Sequence, residues 1–126
     1  MIDWPTLADV LAIHDEQIAE HGGSDGVRDL GAIESALARP QNLVGYGQPD
    51  LAALAAAYAF GIAKNHGFMD GNKRTSSVAT ELFLELNGAI LTATDTELVH
   101  AWTELGAGTL SEEALADWLR PRLEKL

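Results

Sequence analysis

The most restrictive feature of this 126-residue chain is an uncharged, alanine-rich apolar run at positions 51–63. Asp50 precedes the run and is a typical helix N-cap residue, while Gly67 lies where a helix of this length would end. Small side chains allow neighbouring helices to approach closely, so we expect a helix over 51–66 at the centre of the fold. The run is too short to span a bilayer.

The other segments also repeat apolar residues at helical spacing, which predicts an all-α, compact bundle of about six helices. We expect Pro40 to end the second helix, because the residue before a proline resists helical geometry. Residues 41–49 then form a loop, 89–94 an extended segment, and 1–126 a single domain. The remaining predicted helices cover 7–20 after Thr6, 30–39 after Asp29, about 72–87 after Asp70, 95–105 capped by Asp95, and a last segment after Ser111.

The charge balance excludes several functions. Eight basic and 19 acidic residues leave a formal charge of −11, which repels nucleic-acid phosphates and anionic lipids. The absence of cysteine excludes disulfides, thiolate catalysis and cysteine-based metal sites. The N-terminus also lacks the pattern of a secretory signal. We therefore expect a cytoplasmic protein that binds neither nucleic acid nor membrane directly.

The few positive charges are concentrated in one place. Between Pro40 and Leu119 the only basic residues are Lys64, Lys73 and Arg74. Lys73 and Arg74 fall in the first turn of a predicted helix, where the helix dipole is already positive and backbone N–H groups lack partners. A bound anion would relieve this concentration of positive charge. The segment 70–74 therefore predicts a phosphate site.

Four further residues in or next to this segment suit such a site. Gly71 would let a ligand approach the backbone closely, and Asn72 adds an amide donor. His66 is suited to general-base catalysis near neutral pH, and Asp70 offers the carboxylate oxygens that Mg²⁺ prefers. Each residue alone has an ordinary structural interpretation. Together they suffice for phosphoryl or nucleotidyl transfer.

The other histidines are interpreted as structural residues. His14 and His21 lie seven positions apart on one helix, with Asp15 and Glu16 nearby, so a surface metal site is a second and less favoured interpretation. His100 stands apart from these residues. On the predicted fourth helix, we expect the apolar face to consist of Val78, Leu82, Phe83 and Leu86.

Residues 66–74, HGFMDGNKR, resemble the H-x-F-x-D/N-A/G-N-K-R signature of the Doc (death-on-curing) toxin family, a branch of the Fic superfamily. The resemblance extends to LAIHDEQIAEHGG at 11–23 and TELFLELNG at 80–88. It implies the all-α Fic fold. It also implies a toxin of a toxin–antitoxin module, which transfers phosphate from ATP to a threonine of elongation factor Tu and so inhibits translation.

The resemblance also implies roles for individual residues. His66 would deprotonate the target hydroxyl, and Asp70 would hold Mg²⁺. The donor phosphates would be held, and transition-state charge stabilised, by Asn72, Lys73 and Arg74. The backbone of Gly71 would line the anion hole, and Lys64 stands where the family tends to have a basic residue.

The segment departs from the wider Fic pattern H-P-F-x-x-G-N-G-R-x-x-R at Gly67, Lys73 and Ser77. Lys73 favours phosphate transfer, as in the Doc branch, over the AMP or UMP transfer of other Fic proteins. Such nucleotidyl transfer stays an alternative, as does an inactive anion-binding scaffold. The chain lacks the inhibitory motif [S/T]-x-x-x-E-[G/N], so the resemblance implies inhibition by a separate Phd-like antitoxin, which binds in a surface groove.

Overall fold

A computed structural model describes all 126 residues and confirms an all-α fold of six helices. A short antiparallel pair joins β1 (Ala89–Leu91) to β2 (Leu123–Lys125), and a 3₁₀ turn at Arg120–Arg122 precedes β2. No helix is both long and apolar enough to cross a membrane. The helices are α1 (Leu7–His21), α2 (Leu30–Tyr46), α3 (Leu51–Lys64), α4 (Asn72–Leu86), α5 (Asp95–Ala107) and α6 (Glu112–Leu119).

Helix α3 lies at the centre, as its composition predicted. It packs against α2, α4, α5 and α6, and every residue from Leu54 to Ala59 is buried. Small residues make this packing possible: a Cβ placed on Gly61 would lie 3.0 Å from the Cα of Ala36 in α2. The close approach of α2 and α3 therefore depends on the missing side chain at Gly61.

A buried hydrogen-bonded serine joins three helices. The Ser76 hydroxyl on α4 donates to the carbonyl oxygen of Ala59 on α3 at 2.7 Å. The Ser76 hydroxyl oxygen in turn accepts a bond of 2.9 Å from the indole N–H of Trp102 on α5. Both side chains are buried, so neither bond can be replaced by water without rearrangement.

This polar cluster explains why the predicted apolar face of α4 is partly wrong. Phe83 is buried as expected, but Leu86 is exposed. The face that meets the core instead includes Ser76 and Thr80, and the Thr80 hydroxyl donates to the Ser76 carbonyl at 2.7 Å. Hydrogen bonds make polar residues acceptable in a buried face, which a pattern of apolar residues does not reveal.

The expected helix end at Pro40 is also wrong, because α2 continues to Tyr46 and includes most of the predicted 41–49 loop. A proline inside a helix removes one backbone bond and normally costs about 3 kcal/mol. Here Pro40 is buried, and Leu43 in the following turn packs against the core. Tertiary burial outweighs the local preference.

Two helix ends differ from the prediction by small amounts. Thr94, rather than Asp95, caps α5: its hydroxyl accepts from the Glu97 N–H, and the Glu97 carboxylate accepts from the Thr94 N–H. Such a reciprocal box stabilises the helix start. Helix α3 ends at Lys64 instead of His66, and His66 has a left-handed φ of 51°. The strand β2 had no sequence prediction.

We expect Ser76→Ala to lower the free energy of unfolding by about 1–3 kcal/mol, because it leaves the buried Trp102 N–H without a partner. Urea denaturation provides the measurement. Ser77→Ala is the matched control, since Ser77 is only partly buried and its hydroxyl makes no hydrogen bond. Equal losses for the two variants would contradict the proposed importance of the buried network.

A second prediction concerns Asp50, which caps α3 through the Ala53 N–H and receives two hydrogen bonds from Arg120. The Arg120 guanidinium holds the pKa of the Asp50 carboxyl below its ordinary value of 3.8. A lowered pKa stabilises the fold above the unfolded value, and this contribution disappears as the pH falls through the folded value. Arg120→Leu should therefore reduce stability near pH 7 and have little effect near pH 2.

Urea denaturation at the two pH values measures this dependence. Lys125→Leu is the control, because it removes an exposed cation that has no ion-pair partner. It corrects for the general effect of removing a positive charge from an acidic protein. If the free energies of unfolding of the two variants differed by the same amount at both pH values, the assigned role of Asp50 would be wrong.

Candidate functional site

A cavity of about 570 Å³ opens at the N-terminus of α4. Its walls come from the end of α3, the loop that follows it, the first turn of α4 and the C-terminal half of α5. It brings most of the predicted site residues to one place. The lining residues are Ala63, His66, Met69, Asp70, Gly71, Asn72, Lys73, Arg74, Thr103, Gly106 and Ala107.

Lys64 is the exception among the predicted residues. It lies in the last turn of α3 and is not part of the cavity lining. Its ammonium nitrogen approaches the C-terminal end of α5, 3.3 Å from the position of a Cβ placed on Gly108. Lys64 therefore lies next to the α5 wall of the cleft but, unlike Lys73 and Arg74, does not line the cavity.

The loop between α3 and α4, residues 65–71, is held in shape by Asn72. The amide oxygen of Asn72 accepts from the Phe68 N–H, and its NH₂ group donates to the Phe68 carbonyl, both at 3.1 Å. Phe68 itself is buried. Asn72 was predicted to donate to phosphate, but these two bonds show that its amide also closes the loop.

The segment between α1 and α2 supports the same loop from the other side. The N–H groups of Arg28 and Asp29 both donate to the Gly67 carbonyl, at 2.8 and 2.9 Å. A side chain at Gly67 has no room, because its Cβ would lie 2.3 Å from Ile33 Cγ1. This contact gives a structural reason for glycine at the position where the wider Fic pattern has proline.

His14 lies beneath the loop and is fully buried. Its Nε2 is 2.9 Å from the Asp70 carbonyl oxygen, and its ring stacks on Phe68 with centroids 3.8 Å apart. These contacts agree with the structural interpretation of His14. They also connect α1 to the loop that carries the predicted catalytic residues.

Asp70 is exposed and its carboxylate accepts two backbone hydrogen bonds, from Gly71 at 2.8 Å and from Ser24 at 3.3 Å. These bonds hold the pKa of the Asp70 carboxyl below its ordinary value, and the bond from Gly71 has the larger effect. The carboxylate is therefore ionised at neutral pH. Asp70 does not cap α4, since Gly71 occupies the N-cap position with φ 75°.

Because Gly71 has no side chain, the start of α4 has no side-chain cap. The first helical hydrogen bond runs from the Thr75 N–H to the Gly71 carbonyl. The preceding N–H groups, those of Asn72, Lys73 and Arg74, have no acceptor within the chain. Free donors at a helix N-terminus form a site for an anion.

Two cations flank these free donors. Lys73 and Arg74 are exposed, and neither has a carboxylate within 4.0 Å, in a chain that has 19 acidic residues. Arg74 donates to the Gly22 carbonyl at 3.1 Å. The Lys73 side chain lies along α5, since a Cβ placed on Gly106 would be 2.7 Å from Lys73 Cδ. The two cations of the cleft therefore form no ion pair within the protein.

Sequence reasoning missed the wall that α5 contributes. Thr103, Gly106 and Ala107 line the cavity opposite the loop. They lie about thirty residues from the signature segment, and their residue types carry no chemical signal. Only the packing of α5 against α3 and α4 brings them to the cleft.

Comparison with known proteins agrees with this geometry. A family model described as the Fic/DOC family matches residues 4–84. A protein named Protein kinase doc, from Escherichia phage P1, is 34% identical over 113 residues, which cover 89% of each chain. A Toxin Doc from Mycolicibacterium smegmatis is 47% identical over 75 residues, or 57% of each chain. This chain belongs to the Fic/DOC family.

Proposed function

We propose that this protein is the toxin of a toxin–antitoxin module and that it transfers phosphate from ATP to a threonine hydroxyl of elongation factor Tu. One observation carries the proposal: Lys73, Arg74 and the free N–H groups of α4 face the same cleft as His66. The names of the two relatives, a protein kinase and a toxin, support it. The choice of elongation factor Tu rests on the family resemblance.

The start of α4 suits the donor phosphates. Its unpaired N–H groups, its dipole and the two cations all favour negative charge at one place. Lys73 and Arg74 can also stabilise the charge that spreads over the transferred phosphoryl group in the transition state. Lys73 supports terminal phosphate transfer, because an ammonium group stands where the wider Fic pattern has a small, neutral glycine.

His66 can accept the proton of the target hydroxyl. It is exposed at the cleft, and its left-handed backbone places it outside the regular end of α3. As the threonine oxygen bonds to the terminal phosphorus, the bond from that phosphorus to the bridging oxygen breaks. ADP leaves with the electron pair, and the hydroxyl proton passes to His66.

Asp70 fits the proposed Mg²⁺ ligand. Its carboxylate is exposed and ionised, and each oxygen accepts one backbone hydrogen bond, which leaves further lone pairs free. Mg²⁺ prefers carboxylate oxygens together with substrate phosphates. When bound, the ion would neutralise part of the phosphate charge. The two backbone bonds orient the carboxylate beside the start of α4.

The groove that would take the antitoxin segment lies beside the cleft. A cavity of about 390 Å³ runs between α1, α4 and α5, and Val99 on its wall is two-thirds exposed. Lys73, Arg74 and Thr103 line both this groove and the cleft. A segment bound in the groove would therefore reach the cations that are proposed to hold phosphate.

The kinase proposal predicts that purified protein, ATP and elongation factor Tu yield a target heavier by one phosphate in mass spectrometry. His66→Ala should lower the rate by a factor of about 10²–10⁴, as expected for loss of a general base. His21→Ala is the control, because His21 is exposed at the end of α1 and does not line the cleft.

The same mass measurement separates the alternatives. A target heavier by a whole nucleotide would show that the protein is a nucleotidyltransferase and not a kinase. An unmodified target, together with growth inhibition that His66→Ala leaves unchanged, would support the inactive scaffold.

The groove proposal predicts that Val99→Glu weakens inhibition by the cognate antitoxin. A buried carboxylate opposite an apolar antitoxin side chain is unfavourable, so we expect at least a tenfold loss of affinity, about 1.4 kcal/mol. Calorimetric titration with the antitoxin measures this loss. Val44→Glu is the matched control, because Val44 is an exposed valine on α2, away from the groove. If both variants bound the antitoxin with equal affinity, the antitoxin would not bind in this groove.

A further inference from the structure

We propose that His14, Asp15 and Asp25 form a site for a zinc-class divalent cation, separate from the phosphate cleft. One ligand atom from each of these residues lies within 4.8 Å of the other two. The site combines helix α1, which carries His14 and Asp15, with the segment between α1 and α2, which carries Asp25. The proposal does not depend on the kinase function.

The argument begins with the two ring nitrogens of His14. Nε2 lies 2.9 Å from the Asp70 carbonyl oxygen, which can only accept a hydrogen bond. Nε2 therefore carries a proton, and in the neutral ring Nδ1 carries a lone pair. The side chain is only 2% exposed, and Nδ1 has no hydrogen-bond partner. The Nδ1 lone pair is therefore free to bind a ligand.

That lone pair faces negative charge. Asp15 Oδ1 lies 3.9 Å from Nδ1, and an oxygen of Asp25 lies within the same cluster. Neither carboxylate has a lysine or arginine within ion-pair distance. Two carboxylates and a nitrogen lone pair repel one another unless a proton or a metal ion lies between them.

The donor set selects the kind of ion. One imidazole nitrogen and two carboxylates suit Zn²⁺ and related transition metals, whereas Mg²⁺ and Ca²⁺ prefer oxygen ligands alone. Tetrahedral Zn²⁺ with bonds of about 2.1 Å places its ligand atoms about 3.4 Å apart. Asp15 and Asp25 are exposed, so side-chain rotation can close the observed distances. Water would complete the coordination.

A metal ion at this site would affect the cleft, because His14 contacts the loop that carries His66 and Asp70. A metal on Nδ1 fixes the tautomer of His14 and makes its Nε2–H a stronger donor to the Asp70 carbonyl. The ion would also tie Asp25, in the segment that supports Gly67, to α1. Metal binding would therefore brace the loop that carries His66 and Asp70 without entering the phosphate site.

The cluster differs from the metal site weighed in the sequence analysis. His21 is not part of it and instead lies 3.7 Å from Glu20. His100 similarly approaches Glu104 at 3.4 Å. These exposed pairs could bind zinc weakly, so the test uses a background in which His21→Ala and His100→Ala remove them.

Titration of this background protein with ZnCl₂ in a calorimeter tests the proposal. We expect one saturable site per chain, and a change in the ¹⁵N chemical shift of His14 Nδ1 on binding. Asp25→Asn and Asp15→Asn should each reduce the Zn²⁺ affinity at least tenfold. Glu16→Gln should leave it unchanged, because Glu16 is an exposed neighbouring carboxylate outside the cluster. MgCl₂ should not shift the His14 signal.

The carboxylate variants carry the test because His14 is buried and its substitution could unfold the protein. Both aspartates are exposed, so circular dichroism should show the fold intact. Absence of a saturable Zn²⁺ site would overturn the proposal. So would an affinity that falls equally for Asp25→Asn and Glu16→Gln, or an unchanged His14 signal at saturation.

Discussion

The close packing of α3 against its neighbours is the constraint on which the rest of the structure depends. With no side chain at Gly61, α3 approaches the backbone of α2 at Ala36. On its other side the Ala59 carbonyl receives the Ser76 hydroxyl of α4. These contacts fix where α3 ends and α4 begins. The loop between them has few residues, so the packing fixes where the cleft lies, and contacts from Asn72, α1 and the segment before α2 then fix the shape of the loop.

The electrostatics of the cleft follow from how α4 starts. Gly71 has no side chain to cap the helix, and the carboxylate nearest to it, that of Asp70, bonds to the Gly71 N–H instead. The free N–H groups and the cations Lys73 and Arg74 thus remain available. The acidic remainder of the chain disfavours anions over most of its surface. The start of α4 is therefore the place in the fold that most favours negative charge.

The loop 65–71 is held from three directions, which connects the two proposed sites. Asn72 closes it from α4, the Gly67 carbonyl binds the segment before α2, and His14 supports it from α1. The proposed metal ligands lie on two of these supports. Such bracing is consistent with a site whose residues must keep a fixed arrangement while they act on a substrate.

The sequence by itself determined the helical class, the central position of α3 and the segment 66–74 that supplies most of the cleft residues, because helical periodicity, N-cap residues and unusual local charge are encoded within short stretches. Prediction from the sequence failed where contacts with residues distant in the chain determine the local structure. Helix α2 continues past Pro40 because its residues are buried against the core. Ser76 belongs to the core because its hydroxyl is hydrogen-bonded there. The α5 wall of the cleft and the His14–Asp25 cluster exist only in the tertiary structure, since each joins segments whose proximity no local pattern records.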